Sequence, residues 1–334
     1  MKKLIVRLLF LLLFGVAMLV ISVRLRTNVT DYLAGVRYKH ELISKTSSPK
    51  IILVGGSNLP FGINSKKISE HFGMPVVDMG VHGSIGLKYM GNEVRPYINE
   101  GDIVVMVPEY EQFYDKKGSL NGDISLLYLV YDFYPEGRQY VGFEQWMQLT
   151  PLFPQYASYK YRNFTNSKVM SLLNRPDNKF DSIYNQHVFD EYGDANSHSH
   201  LSPRHFEPHR SDAGINQSTI DYLNNFYEFV KAKKAQMYYS YPSLEERSYD
   251  LCIKPIAILE KELKEEAKFP ILNSPVEYRM NSRYFFDTPY HLTEEGEQLR
   301  TDKLIADLEK AFQLEAKGKG QETRDKRQEA KGKR

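Results

Sequence analysis

KIILVGGSN, residues Lys50 to Asn58, decides the fold. Four large apolar residues in a row, Ile51 to Val54, stop abruptly at Gly55-Gly56-Ser57. The run is too short for a helix and apolar on both alternating faces. It therefore reads as a central strand of a parallel sheet that opens into a tight turn. Working outward, Pro75 to Met79 is a second short strand ending at Gly80. Asp102 to Val107 is a third, stopped by Pro108. Ser65–Phe72 and Ile85–Tyr97 have helical character and serve as crossovers. The rhythm resumes with a helix over Thr219–Lys233, in which Ile220, Leu223, Phe226, Tyr227 and Val230 recur at helical spacing. A strand over Ala235–Tyr239, a helix over Ile253–Glu266, a strand over Phe269–Leu272 and a closing helix over Thr293–Phe312 follow. That helix carries an apolar stripe of Leu299, Leu304, Ile305, Leu308 and Phe312.

The aromatic-rich section between the two series does not share this alternation. Tyr110, Phe113, Tyr128, Trp146, Phe153 and Tyr156 belong to helical pieces without a βαβ unit, so residues 112–214 are expected as a large helical insertion over the carboxyl ends of the strands. The aromatics would be mostly core, with sugar stacking as the alternative.

At the N-terminus, Leu8 to Val23 is an apolar run of sixteen residues behind Lys2, Lys3 and Arg7. With Leu4 to Val6 added it reaches bilayer length, Arg7 snorkelling to the interface. A cleaved secretory signal or a buried core helix would share the apolar run. No small-x-small cleavage site follows it, which favours a retained anchor over residues 1–26. Arg24 and Arg26 oppose the leading charges, a small bias toward an inside N-terminus and an outward-facing bulk. The expected division is an anchor, a juxtamembrane linker with a short helix over 27–48, a domain over 49–314 and a disordered basic tail over 315–334.

Formal charge is +2, from 44 basic and 42 acidic side chains, and from Lys317 onward the tail alone holds eight of the basic ones against three acidic. Without that tail no basic surplus supports nucleic-acid binding. Cys252 is the only cysteine, which excludes an intrachain disulfide framework and a multi-cysteine metal site.

Three segments carry candidate chemistry. Ser57 sits at a strand end, where open α/β sheets place ligands; an ordinary turn or helix cap is the other reading. Asp287-Thr-Pro-Tyr-His291 can bring a carboxylate to an imidazole if Pro289 fixes a turn. Asp287 would then orient His291, and His291 would take the Ser57 proton; capping and surface roles are the alternative. Gly80-Val-His-Gly83 ends the second strand, and the N–H groups of Gly83 and Ser57 could hold a tetrahedral oxyanion. His82 is expected to be structural or to face substrate. His198, His200, His205 and His209 crowd one polar loop, expected to be mobile or substrate-contacting in preference to a metal site.

These pieces, in this order, resemble the SGNH (GDSL-like) hydrolase superfamily, which combines a serine after the first strand, a glycine after the second, an asparagine after the third and a late Asp/His pair. The resemblance covers about residues 50–110 and 215–312. It implies a flavodoxin-like three-layer α/β/α fold with a parallel sheet of about five strands. It also implies a Ser57, Asp287 and His291 triad with Ser57 and Gly83 as oxyanion donors, and Asn58, His82 and Glu109 as substrate-contacting candidates. Two departures stand out. Gly-Asp-Ser appears as Gly55-Gly56-Ser57, and Gly-x-Asn-Asp is replaced by Val107-Pro108-Glu109-Tyr110-Glu111, with no asparagine to donate. An ionised Glu109 would oppose the developing charge.

The anchor, the absent asparagine and the Asp-x-x-Tyr-His-Leu ending resemble the membrane-anchored DltD-like and alginate-acetylation-like members. Those work beside a membrane-bound O-acyltransferase on cell-surface polymers. The resemblance implies serine-dependent acyl transfer or ester hydrolysis on an envelope polysaccharide, outside the inner membrane. The partners would be the bilayer, an O-acyltransferase and a carbohydrate acceptor. No organic cofactor or metal is called for. A catalytically inactive assembly or glycan-binding subunit that keeps the fold is the alternative.

Overall fold

The apolar runs form the sheet. Ile51–Gly55 (β1), Val76–Asp78 (β2), Ile103–Val107 (β3) and Gln236–Tyr239 (β4) pair in parallel in the order β2-β1-β3-β4. In this computed structural model the described residues are 2–25, 32–114, 120–173 and 182–332. Residues 1 and 26 of the expected anchor, part of the expected linker (27–31), parts of the expected insertion (115–119 and 174–181) and the last two residues of the tail lie outside them.

Strand pleating sends alternate side chains to opposite cores. Ile52, Val54, Val104 and Met106 pack on one face, and Ile51, Leu53, Val105 and Val107 on the other. Such side chains each contribute about 1.5–3 kcal/mol through burial. The helices divide accordingly. Gly35–Lys45 (α2), Leu87–Val94 (α4), Gln217–Ala232 (α8) and Ile253–Glu266 (α10) supply residues to the first core. Ser65–Phe72 (α3) and Glu294–Gly332 (α11) cover the second. α3 starts where Asn64 accepts the Lys67 N–H at 2.9 Å and stops at Gly73, whose φ of 64° closes the helix in the left-handed region.

β1 leads to β2 on one side, while β3 and β4 lie on the other, so the carboxyl ends of β1 and β3 flank the point where strand order reverses. A crevice forms there in open α/β sheets.

The segment expected as a fifth strand contributes a single bridge, Ile271 with Tyr239, secured by the Tyr239 N–H to Pro270 O and the Leu272 N–H to Tyr239 O. Pro270 has no N–H to extend the ladder. Among the described residues the principal sheet therefore has four strands, and a separate two-stranded parallel sheet joins Leu244–Glu245 (β5) to Arg279–Met280 (β6).

Residues expected as linker also belong to the folded body. Val36 and Ile43 of α2 are buried, and the buried Lys39 ammonium bonds the carbonyls of Asp78 and Gly193 and lies 3.6 Å from the Asp78 carboxylate.

Ile124–Phe133 (α5), Phe143–Leu149 (α6) and Phe153–Leu172 (α7) lie between β3 and α8, and Glu246–Leu251 (α9) precedes α10. Tyr114 bridges antiparallel to Ile215, which brings together the two ends of the intervening segment.

Lys2–Arg24 (α1) is the apolar N-terminal helix. Residues Lys2–Ser22 average a hydropathy of 2.9 with their apolar side chains exposed, and the helix is long enough to cross a membrane once. At the other terminus, α11 continues to Gly332 where a disordered tail is expected. The extension carries Gly318 and Gly320, which weaken a helix, but its many Lys, Glu, Gln and Arg residues favour one, and it prolongs a helix already nucleated by packing.

Candidate active site

Ser57 follows β1 directly. Its Oγ lies 2.9 Å from His291 Nε2, and His291 Nδ1 lies 3.0 Å from Asp287 Oδ1. The turn carrying the last two is held internally: Thr288 Oγ1 accepts the His291 N–H at 3.0 Å, and the Phe286 N–H donates to the His291 carbonyl at 2.8 Å. Immediately beyond, Thr293 caps α11 by accepting the Gly296 N–H. The Phe61 ring stacks on the imidazole with centroids 4.5 Å apart, fixing its plane.

Tyr184 completes this cluster from the insertion. Its hydroxyl donates to Asp287 Oδ2 at 2.5 Å and lies 3.0 Å from His291 Nδ1. Burial opposes ionisation of Asp287, but the bonds and charges from His291 and Tyr184 outweigh it and hold the carboxyl below its ordinary value. The carboxylate is thereby kept in the charged form that orients an imidazole.

Glu109, after β3, reaches the same point. Its Oε1 accepts the Asn58 N–H at 3.2 Å and lies 3.4 Å from Ser57 Oγ. The fit is tight: a Cβ added at Gly56 or at Gly83 would overlap the Glu109 carboxyl. These two positions need glycine for space alone. Burial, reinforced by Glu111, pushes the Glu109 carboxyl up to about 7, against the Asn58 N–H, the Ser57 hydroxyl and Arg300.

Glu111 is charged differently from its neighbour. Burial again opposes ionisation, but His209 and Tyr290 prevail and keep it below the usual range. His209 Nε2 lies 3.0 Å from Glu111 Oε1, and Tyr290 Oη donates to Oε2 at 2.7 Å while accepting the Tyr110 N–H at 3.2 Å. The bond from Glu111 raises the His209 pKa in return.

A cleft of about 490 Å³ opens on Ser57 and His291, lined also by Tyr32, Leu33, His82, Tyr184, Thr288 and Tyr290. Beyond Tyr290 a second recess of about 460 Å³ is bordered by Gly83, Ser84, Glu109, Glu111, Gln112 and the loop from Glu207 to Arg210.

The candidate residues thus distribute as follows. Ser57, His291 and Asp287 form one hydrogen-bonded series, with Gly83 and Glu109 at its side. His82 faces the cleft and accepts the Ser84 N–H on Nδ1 at 3.1 Å, which starts a 3-10 turn. Asn58 does not reach the cleft. It is fully buried, its Nδ2 donates to Val107 O at 3.2 Å, and its carbonyl accepts from the buried Arg300, so it ties β1 to β3 and α11.

The histidine-rich loop, expected to be mobile or substrate-contacting, places its histidines in different settings. His198 is buried between Phe61 and Phe286, and its Nε2 lies 2.7 Å from Leu292 O. His209 engages Glu111, and His205 lies beside Glu207. Among the described residues no three His, Cys, Asp or Glu side chains converge in a metal-binding group.

Five cleft-lining contributors escape sequence reasoning: Tyr184, Tyr32, Leu33, Thr288 and Tyr290. Thr288 and Tyr290 had a local signal, lying inside the Asp287–His291 segment. Tyr184 is one tyrosine among many in a segment without periodicity, and Tyr32 and Leu33 sit in what reads as linker.

No family model matches the chain, and no curated protein matches it.

Proposed function

We propose that the chain is a membrane-anchored SGNH-type serine acyltransferase or esterase with a flavodoxin-like three-layer core. The observation that carries this reading is the continuous hydrogen-bonded series Ser57–His291–Asp287 at the carboxyl edge of the sheet, assembled from segments 234 residues apart. His291 would accept the Ser57 proton as Oγ attacks an ester carbonyl, and Asp287 would stabilise the resulting imidazolium. Collapse of the tetrahedral intermediate would expel the alcohol, protonated by His291, and leave an acyl-serine. A sugar hydroxyl or water would then take the acyl group by the reverse route.

The envelope polysaccharide as acceptor, an O-acyltransferase as partner and an extracytoplasmic location at the inner membrane follow from the resemblance and from the single N-terminal span. Alkaline phosphatase fused after residue 312 is expected to be active; activity of a cytoplasmic reporter alone at that point would reverse the orientation. Deleting residues 2–24 is expected to abolish polymer acylation in cells while aryl-ester turnover persists. Equal loss of both would count against a membrane partner.

The catalytic reading is tested by turnover of an activated aryl ester. Ser57→Ala and His291→Ala are each expected to lower it by about 10⁴-fold or more with melting unchanged. Turnover within twofold of wild type in either variant would overturn it.

One observation favours the second reading, a non-catalytic assembly or glycan-binding subunit. Glu109 stands 3.4 Å from Ser57 Oγ, and an ionised carboxylate there opposes an oxyanion.

A further inference from the structure

Glu109 is the feature that divides the two readings, and its surroundings favour one protonation state. Two departures from the SGNH pattern meet at this side chain. The position before Ser57 has glycine in place of aspartate, and the position after β3 has glutamate in place of asparagine. They are linked in space, because a side chain at position 56 would collide with the Glu109 carboxyl as well as with the Gly83 backbone. The carboxyl is also anchored asymmetrically. Oε1 receives the Asn58 N–H and lies 3.4 Å from Ser57 Oγ, while Oε2 lies against Gly83, the residue expected to offer the second oxyanion N–H.

We infer that Glu109, as a neutral carboxylic acid, donates a hydrogen bond from Oε2 to the oxygen of the tetrahedral intermediate, in the place of the missing asparagine. The inference rests on the serine reading above. As Ser57 Oγ bonds to the carbonyl carbon, the π pair moves to oxygen, the Ser57 proton passes to His291 Nε2, and the Glu109 O–H donates without transferring its proton. When the intermediate collapses, that pair re-forms the carbonyl and the leaving oxygen takes the proton from His291. Glu109 is unchanged over the cycle.

The charged and titratable groups around Glu109 bear this out chemically. Glu111, on the same segment, is held ionised by His209 and Tyr290 and disfavours a second negative charge nearby. Arg300, from α11, favours ionisation by its charge, the smallest of the influences on Glu109, and donates from Nη1 to the Asn58 carbonyl. Tyr32 and Tyr290 face the carboxyl from the segment after α1 and from the Asp287–His291 turn, and both are held neutral by burial. Burial is the largest influence on Glu109 itself and keeps the acid protonated up to about pH 7. A buried carboxylic acid kept neutral for hydrogen-bond donation is an established device of oxyanion stabilisation.

The test is the pH profile of kcat/KM on an activated aryl ester for the full-length protein, with the Ser57→Ala rate subtracted. Wild type is expected to lose activity as pH rises through about 7. Glu109→Gln, whose amide donates without titrating, is expected to remain active and to lose that alkaline fall. Glu109→Ala is expected to be about 10²–10³-fold slower at pH 6, with circular dichroism and melting retained. A Glu109→Ala rate equal to or above wild type would overturn the inference, as would an unaltered alkaline fall in Glu109→Gln. In both cases Ser57-dependent turnover would survive, so the serine reading would stand. Absence of any Ser57-dependent turnover in wild type between about pH 5 and 9 would remove the serine reading and this inference together.

Discussion

Tyr184 Oη lies 2.5 Å from Asp287 Oδ2, so a hydroxyl from the helical insertion is bonded to the carboxylate that faces His291. The insertion therefore contributes to the candidate site through a defined contact. Removing a hydrogen bond to a charged group costs about 1.5–3 kcal/mol. Tyr184→Phe is expected to lower kcat on an aryl ester by about 10–100-fold while KM stays within about threefold. Because Tyr184 helps keep Asp287 ionised, the acid limb of the kcat profile should also move to higher pH. An unmoved profile with a large loss of melting temperature would mean that the hydroxyl serves packing alone.

The packing of Gly56 against Glu109 sets up a reciprocal experiment. Gly56→Asp alone forces two carboxyl groups into one volume and is expected to destabilise the fold by about 3 kcal/mol or more. Combining Gly56→Asp with Glu109→Asn puts at both positions the residues of the SGNH pattern that the sequence resembles. The pair is expected to recover at least about 1 kcal/mol relative to the sum of the single changes in a denaturation cycle. Strict additivity would deny that the two positions are linked.

Glu93, on α4, gives the stability of the protein a pH dependence unrelated to the site. Burial, only partly offset by Lys39, pushes its carboxyl up to about 8. Across the window from about 4.5 to 8 the folded chain keeps a proton that the unfolded chain has released. Stability therefore falls as pH rises through that window, and Glu109 and Glu297, both raised to about 7, act in the same direction. Glu93→Gln is expected to raise the melting temperature at pH 9 and to flatten the pH dependence by an amount on the order of 5 kcal/mol. A melting temperature that climbs from pH 5 to 9 in wild type would contradict this account.

Much of the scaffold was legible because buried parallel strands need near-continuous apolar runs. β1 and β3 fall where those runs lie, and α3 and α10 have the expected bounds. The expected fifth strand failed for a local reason, since Pro270 cannot donate and only Ile271 joins the ladder. Ser57, Asp287 and His291 could be singled out because each lies beside glycine, proline or a helix start. The role of Asn58 could not, because its inward orientation depends on the separation of β1 and β3 and on Arg300 behind them. Glu109 was visible as a departure from a pattern. That it fills the space left by Gly56 could be seen only once both strand ends were side by side.

The central claim is that Ser57 is a nucleophile activated by His291. Intact-protein mass spectrometry after exposure to a fluorophosphonate tests it most directly, with peptide mapping of any adduct. The expected result is one phosphonyl group per chain, on Ser57, absent in Ser57→Ala and formed at least about 100-fold more slowly in His291→Ala. A folded wild-type protein that stays unmodified, or an adduct that persists in Ser57→Ala, would contradict the account.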